Sequence, residues 1–324
     1  MTLTTAQLEK ITFGSLYTTE DENGFSTNRY TEEQRAYLKE YRNDFYIKSF
    51  ASSSSFVDFK TDSKTLKFEY TLSYYCSREY AYFDVYENDT MILHHGSDSK
   101  DDFSGEVSVS LSEGEKRVRV YFPNIQRTSI KNFTLDDGAS VIPTEKKYRA
   151  LVLGDSITHG YDARYPSLSY ANVMIEELSL NAINQAIGGE VFNAPTLSDK
   201  DIWSPDIITV AFGINDWSKH EYERAISDAT AYFEKLRAIY KDTPIVYISP
   251  LWTSRNPARQ PMLPKYIKSF EQIAASHGAY LIRGFDVVPH DNGMFTDGLH
   301  PSDLGFSQYA KGVVNGIKKL GILK

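Results

Sequence analysis

Across the first 145 residues the apolar positions recur every second residue, the period of a half-buried strand. In "TLKFEYTLSYY" Leu66, Phe68, Tyr70, Leu72 and Tyr74 fall on one face, with Lys67, Glu69, Thr71 and Ser73 on the other. "EVSVSLS" alternates through Val107, Val109 and Leu111, and "KRVRVYF" through Val118, Val120 and Phe122; the turn signals "ENDT" and "LSEGEK" punctuate these runs. Many short strands with one apolar face predict an antiparallel β-sandwich, of the jelly-roll kind, over residues 1–145. "ASSSS" at 51–55 reads as a short polar loop, and His94 with His95 as a loop tip. No internal repeat is visible.

From residue 146 the pattern changes to strands alternating with segments of period 3.6. "ALVLGDS" is a strand, "SYANVMIEELSL" a helix, "NAINQAIGG" a short strand and turn, and "DIITVAFGIND" a buried apolar strand. A long helix follows, with Ala225, Ile226, Ala229, Tyr232, Phe233, Leu236 and Ile239 on one stripe. The strand "PIVYISP", a helix around "PKYIKSFEQIAAS", the strand "AYLIRGF" and a last helix opening near "PSDLGFSQYAKGVVNGI" complete the chain. Such alternation predicts an α/β domain over 146–324, its parallel sheet covered on both faces. Working residues in such sheets sit on loops beyond the strands' carboxyl ends.

Composition narrows the partners. The 324 residues are 41% apolar and 24% charged, ordinary for a globular protein, and the net charge of −8 speaks against nucleic acid or an anionic membrane surface. Cys76 is the only cysteine, so an internal disulfide and a Cys-rich zinc site are excluded. The opening "MTLTTAQLEK" shows no secretory pattern and no apolar run is long enough to span a bilayer, which gives the expectation of a cytoplasmic protein. Twelve of the 23 tyrosines precede residue 146; Tyr packs well in strands, so sheet packing is preferred to a sugar-stacking surface. The sequon at Asn132 carries no meaning for a cytoplasmic chain.

Four polar pieces fall just after predicted strands or ahead of the last helix: Ser156 after "LVLGD", Gly188 and Gly189 after "INQAI", Asn215 after "TVAFGI", and Asp297 with His300 in "TDGLHP". Ser156 alone is either a nucleophile or a turn residue. A serine hydroxyl needs a base, and histidine titrates in the right range; a carboxylate three residues from His300 is within reach to hold its other ring nitrogen. A glycine N–H and an Asn amide are suitable donors to a tetrahedral oxyanion.

The segments "GDSIT", "NQAIGGE", "FGIND" and "DGLHP", in that order, resemble the four sequence blocks of the SGNH hydrolases, the GDSL esterase/lipase family, over residues 148–324. The resemblance implies a three-layer α/β/α fold like flavodoxin and a serine esterase needing no metal or cofactor. It implies Ser156 as nucleophile, and Ser156 N–H, Gly189 N–H and the Asn215 amide as oxyanion donors. Asp297 and His300 match the last block, and Gly188 stands where the family often has Ser. Block I reads Gly-Asp-Ser-Ile instead of Gly-Asp-Ser-Leu, a change between aliphatics. The Gly-x-Ser-x-Gly elbow of α/β-hydrolases is absent at Ser156.

Asp155 and Asp216 read as structural carboxylates. His159, Gly188, Trp217 and Trp252 are candidates to line a substrate pocket, with a loop role for His159 and burial for the tryptophans as the alternatives. "AIGGE" matches neither Gly-x-Gly-x-x-G nor a Walker pattern. A β-sandwich before an SGNH domain looks like bacterial acetyl xylan esterases. The expected activity is removal of acetyl groups from oligosaccharides; a lipase or thioesterase for longer chains, or a silent carbohydrate-binding protein, are the alternatives. The sequence does not bear on oligomeric state.

Overall fold

The computed structural model describes residues 1–74, 77–99 and 103–323; Tyr75, at the end of the first predicted strand, and the single Cys76 lie outside the described residues. The first part contains the strands β1 (Thr12–Phe13), β2 (Tyr17–Asp21), β3 (Gly24–Asn28), β4 (Phe56–Thr61), β5 (Thr65–Ser73), β6 (Ala81–Glu87), β7 (Thr90–Ser97), β8 (Ser104–Ser110), β9 (Lys116–Tyr121), β10 (Arg127–Leu135) and β11 (Ile142–Pro143). They form two antiparallel sheets, β1-β4-β9-β6-β7 with β11 beside β4, and β2-β3-β10-β5-β8. Alternation works as expected: Leu66, Phe68, Tyr70 and Leu72 of β5 are buried and join Val107, Val118, Val120 and Phe122 in the core of this part. Tyr74 leaves the pattern, because the strand ends at Ser73 and Tyr74 adopts a left-handed φ of 52°.

One expectation for this part is corrected and two are extended. His94 and His95 lie inside β7; His94 Nδ1 is 2.7 Å from Asp84 Oδ1, and its ring is stacked between Tyr82 and Tyr165. The loop at 51–55 is polar but fully buried, and Ser53 and Ser54 accept from Asn184 Nδ2 of the second part. Among the described residues the period-two part also holds three helices, α1 (Thr5–Ile11), α2 (Glu32–Tyr41) and α3 (Asn43–Lys48). The first two each open with a Thr-x-x-Gln capping box, Thr4 with Gln7 and Thr31 with Gln34.

The second part alternates as predicted: β12 (Tyr148–Gly154), α4 (Ser156–His159), α5 (Tyr170–Glu177), β13 (Leu180–Ala186), β14 (Ile207–Ala211), α6 (Ile214–Lys219), α7 (Tyr222–Ile239), β15 (Ile245–Ile248), α8 (Leu263–Ser276), β16 (Tyr280–Ile282) and α9 (Asp303–Leu320). All five strands are parallel, in the order β13-β12-β14-β15-β16. Counting only these strands the order is 2-1-3-4-5, the flavodoxin arrangement. Ala150 and Val152 of β12 pack with Tyr170, Met174 and Val313 of α5 and α9, whereas Leu151 and Leu153 pack with Phe233 and Phe270 of α7 and α8. The sheet therefore lies between two helical layers.

Strand β13 is an edge that would present unpaired carbonyls. Fully buried Arg29, from just after β3, covers it: Nη1 donates to Asn184 O and to Ala186 O, and Nε to Ala51 O at 2.6 Å. Gln185 Nε2 in turn donates to Arg29 O at 2.8 Å and to Gln34 Oε1 at 3.0 Å. No helix among the described residues is long and apolar enough to cross a membrane.

Candidate active site

Strand β12 ends at Gly154, where a Cβ would stand 2.1 Å from Thr158 Oγ1, so only glycine lets the chain turn there into α4. Asp155 caps that short helix, its Oδ1 accepting from Ile157 N–H at 3.1 Å, and Ser156 is the first helical residue. The hydroxyl of buried Ser156 lies 2.8 Å from His300 Nε2, and His300 Nδ1 lies 2.8 Å from Asp297 Oδ2. An ionised carboxylate can only accept, so Nδ1 carries the ring proton and Nε2 is free to accept from Ser156 Oγ–H.

The turn 297–300 is locked from within. Asp297 Oδ1 accepts from Leu299 N–H at 3.0 Å and His300 N–H at 2.9 Å, leaving Oδ2 for the imidazole. Partial burial pushes the Asp297 carboxyl up, but these bonds outweigh it and hold it well below the usual carboxylate range.

Several charged neighbours were not identified from the sequence. Arg255 donates through Nη2 to Asp297 Oδ2 and through Nε to Asp297 O. Arg78, from the sandwich part, makes a fork to Asp162 at 2.5 and 3.0 Å and places Nη2 3.4 Å from His300 Nδ1. Asp162 Oδ2 also accepts from Thr296 Oγ1 at 2.6 Å and lies 3.7 Å from His300 Nδ1. The Tyr161 ring lies along the imidazole, with centroids 5.9 Å apart. Arg255 and Asp162 follow shortly after β15 and Ser156, so the rule that located the other residues also reaches them; Arg78 has no such signal.

The loop after β13 returns to the end of β12, where Ile187 N–H donates to Gly154 O at 3.1 Å. Residues 187–190 form a turn closed by Glu190 N–H donating to Ile187 O at 3.1 Å, with Gly189 at φ +88°. At Gly188 a Cβ would stand 2.5 Å from Tyr161 Cζ, which accounts for glycine at a position where the resembled family often has Ser. Asn215, in the first turn of α6, donates from Nδ2 to Glu190 O at 3.0 Å and lies 3.4 Å from Asp155 Oδ2.

Of the four pocket candidates, two are corrected. Fully buried His159 faces no open pocket; its Nδ1 accepts from Gly188 N–H at 3.2 Å. Burial, reinforced by Arg29 and Lys48, pushes its imidazole well below the usual range, so it is neutral. Trp217 is 1% exposed and packed with the α7 and α8 side of the core, where its Nε1–H donates to Arg259 O. Half-buried Trp252 stacks on His290 and tilts against Phe295. The apolar groove of about 410 Å³ between α5 and α9 contains no residue of this constellation in its lining.

Behind the loop lie three fully buried carboxyls. Burial pushes Asp155 up to about 6 and Glu190 and Asp216 up to about 8; mutual repulsion adds to the last two. Asp216 Oδ1 accepts from Phe192 N–H at 3.1 Å, and Glu190 Oε1 accepts from Thr196 Oγ1 at 2.9 Å. Both carboxyls serve local packing, as expected of Asp216.

The line of Ser156, His300 and Asp297 beyond a flavodoxin-ordered sheet fits a serine hydrolase, and residues 152–307 match the GDSL-like lipase/acylhydrolase family. The chain carries an SGNH hydrolase domain of that family, and the protein is an ester hydrolase. No curated protein sequence matches the chain. Among solved structures it is similar to a salicylyl-acyltransferase from a tetracycline biosynthetic pathway, with a TM-score of 0.77 at 17% identity over 96% of this chain and 95% of the other. It is similar to a family two carbohydrate esterase from Clostridium thermocellum solved with cellohexaose, with a TM-score of 0.68 at 14% identity over 96% and 99%. An acetyl xylan esterase from the rumen bacterium Butyrivibrio proteoclasticus gives 0.60 at 16% identity over 84% and 92%. At these identities the likeness is one of fold.

Proposed function

We propose that the protein is a serine esterase that removes acetyl groups from oligosaccharides, with an N-terminal β-sandwich domain over 1–145 and a catalytic domain over 146–324. The observation that carries this reading is the unbroken line from Ser156 Oγ through both nitrogens of His300 to Asp297, each step 2.8 Å. In the reaction Ser156 Oγ attacks the ester carbonyl while His300 Nε2 takes its proton, and Asp297 steadies the imidazolium that results. The negative charge of the tetrahedral intermediate is received by Ser156 N–H, Gly189 N–H and the Asn215 amide. His300 then protonates the departing sugar oxygen. Water, deprotonated by the same nitrogen, releases acetate from the acyl-enzyme.

The sandwich ahead of the catalytic domain and the likeness in fold to carbohydrate esterases support a sugar ester as substrate. The likeness to an acyltransferase raises a second outcome, capture of the acyl group by an alcohol instead of water. Acetate release from a panel of acetylated oligosaccharides, with Ser156→Ala alongside, tests the proposal. Turnover is expected to fall by on the order of 10⁶ in that variant. Activity should also decline from acetyl through butyryl to octanoyl esters; a rise along that series overturns the acetyl-esterase reading in favour of a lipase.

A further inference from the structure

The two peptides that flank Gly189 are each gripped by a cation that the catalytic scheme does not use. Lys48 Nζ, at the end of α3, donates to Gly188 O at 2.8 Å, and Lys219 Nζ, at the end of α6, donates to Gly189 O at 2.6 Å. From the other direction Gly188 N–H is tied to neutral His159. Gly189 N–H makes no hydrogen bond to any described residue. We propose that Lys48 and Lys219 are positioning residues of the oxyanion site, Lys48 by polarising the peptide whose N–H is that of Gly189 and Lys219 by fixing the following carbonyl. The proposal rests on the reading of Gly189 N–H as an oxyanion donor.

The physical argument concerns a single amide. Gly188 C=O and Gly189 N–H belong to one resonant unit, so an ammonium on the oxygen draws electron density away from the nitrogen. The N–H becomes a stronger donor, as in any chain of hydrogen bonds in which one polarises the next. A charge-assisted bond to the carbonyl also holds the turn in one orientation, and the left-handed φ of Gly189 lets the N–H project from it.

The local charge balance suits a developing anion. Arg42 and Lys48 share one carboxylate, Asp44, at 2.9 and 3.1 Å, and both lie against the Phe45 ring. Lys219 has no carboxylate within ion-pair distance among the described residues, although the protein as a whole carries −8. With Asp155, which at about 6 is ionised near neutrality and interacts with Lys219, three cations face two anions around the turn and leave a net positive charge there.

The test uses Lys48→Met and Lys219→Met, singly and together, with Lys48→Arg as the conservative change. Readouts are kcat and KM on p-nitrophenyl acetate, thermal melting, and affinity for a boronic acid that forms a tetrahedral adduct on serine. Expected for Lys48→Met is a fall in kcat of about tenfold with KM within about twofold, the boronate weakened in proportion, and most of kcat recovered in Lys48→Arg. Unchanged kcat with only a lower melting temperature overturns the proposal. So does a loss confined to KM for esters bearing a carboxylate, which would make the lysines substrate contacts. A fully active Ser156→Ala protein overturns this step together with the reading beneath it.

Discussion

On the His300 side of Ser156 the carboxylates of Asp297 and Asp162 are ionised and met by Arg78, Arg255 and the imidazole. On the Gly189 side Asp155, Glu190 and Asp216 are more deeply buried, no cation reaches ion-pair distance of them among the described residues, and their pKa values rise. Burial alone pushes all five upward; Asp162 and Asp297 escape because guanidinium, hydroxyl, imidazole and backbone donors reach them. The contrast suits the two tasks. Fixed negative charge belongs beside a base that must become a cation, whereas on the other side Glu190 and Asp216, raised to about 8, stay protonated near neutrality and repel a developing oxyanion less than ionised carboxylates would.

The contrast can be tested residue by residue. Asp297→Asn should lower kcat by on the order of 10⁴, since the amide removes the charge that fixes the imidazole tautomer; steady-state kinetics on an acetyl ester measures it. Asn215→Ala should cost about 10² to 10³ in kcat with a small change in KM. Arg78→Ala should lower kcat about tenfold, with partial recovery in Arg78→Lys, because the fork to Asp162 is one of several ties on the His300 turn. An Arg78→Ala enzyme with full activity would leave the two sides less different than their geometry suggests.

The last effect is on stability, not on rate, and concerns Glu190. Its carboxyl is raised from 4.5 to about 8 in the fold, so between those values the folded protein holds a proton that the unfolded chain has lost. The contribution of this one group to stability is therefore full below about pH 4.5 and declines as pH rises toward 8, by about 1.4 kcal/mol per unit. Glu190→Gln keeps an oxygen acceptor for Thr196 and Asn193 but cannot ionise. Melting curves from pH 5 to 8 should show a flatter decline for the variant; parallel curves would refute the raised pKa.

What was legible in the sequence was local. The Asp297–His300 turn closes within three residues, and Ser156 and Asn215 follow strands whose apolar runs identify them. The α/β alternation announced the parallel sheet for the same reason. Arg78 and Lys48 stand in the part with strand periodicity, and nothing in their neighbourhoods signals a partner more than two hundred residues away for Arg78 or more than a hundred for Lys48. His94 and His95 escaped because strand β7 lacks the apolar alternation that marks β5. Trp217 was a pocket candidate for its position after "GIND", with burial as the alternative, and α6 turns that ring into the core. The capping box at Thr31 and Gln34 did announce α2 in the sequence, and strand periodicity on either side masked it.

Arg29 carries a consequence for descent. Because its guanidinium occupies the carbonyls of Asn184 and Ala186, the edge of the catalytic sheet is completed by a residue encoded far upstream. A recombination event that exchanged the first 145 residues for another sandwich would have to supply an arginine at the same place or leave a raw sheet edge. An arrangement that looks modular is thereby tied at one edge by a single side chain that belongs to the other part.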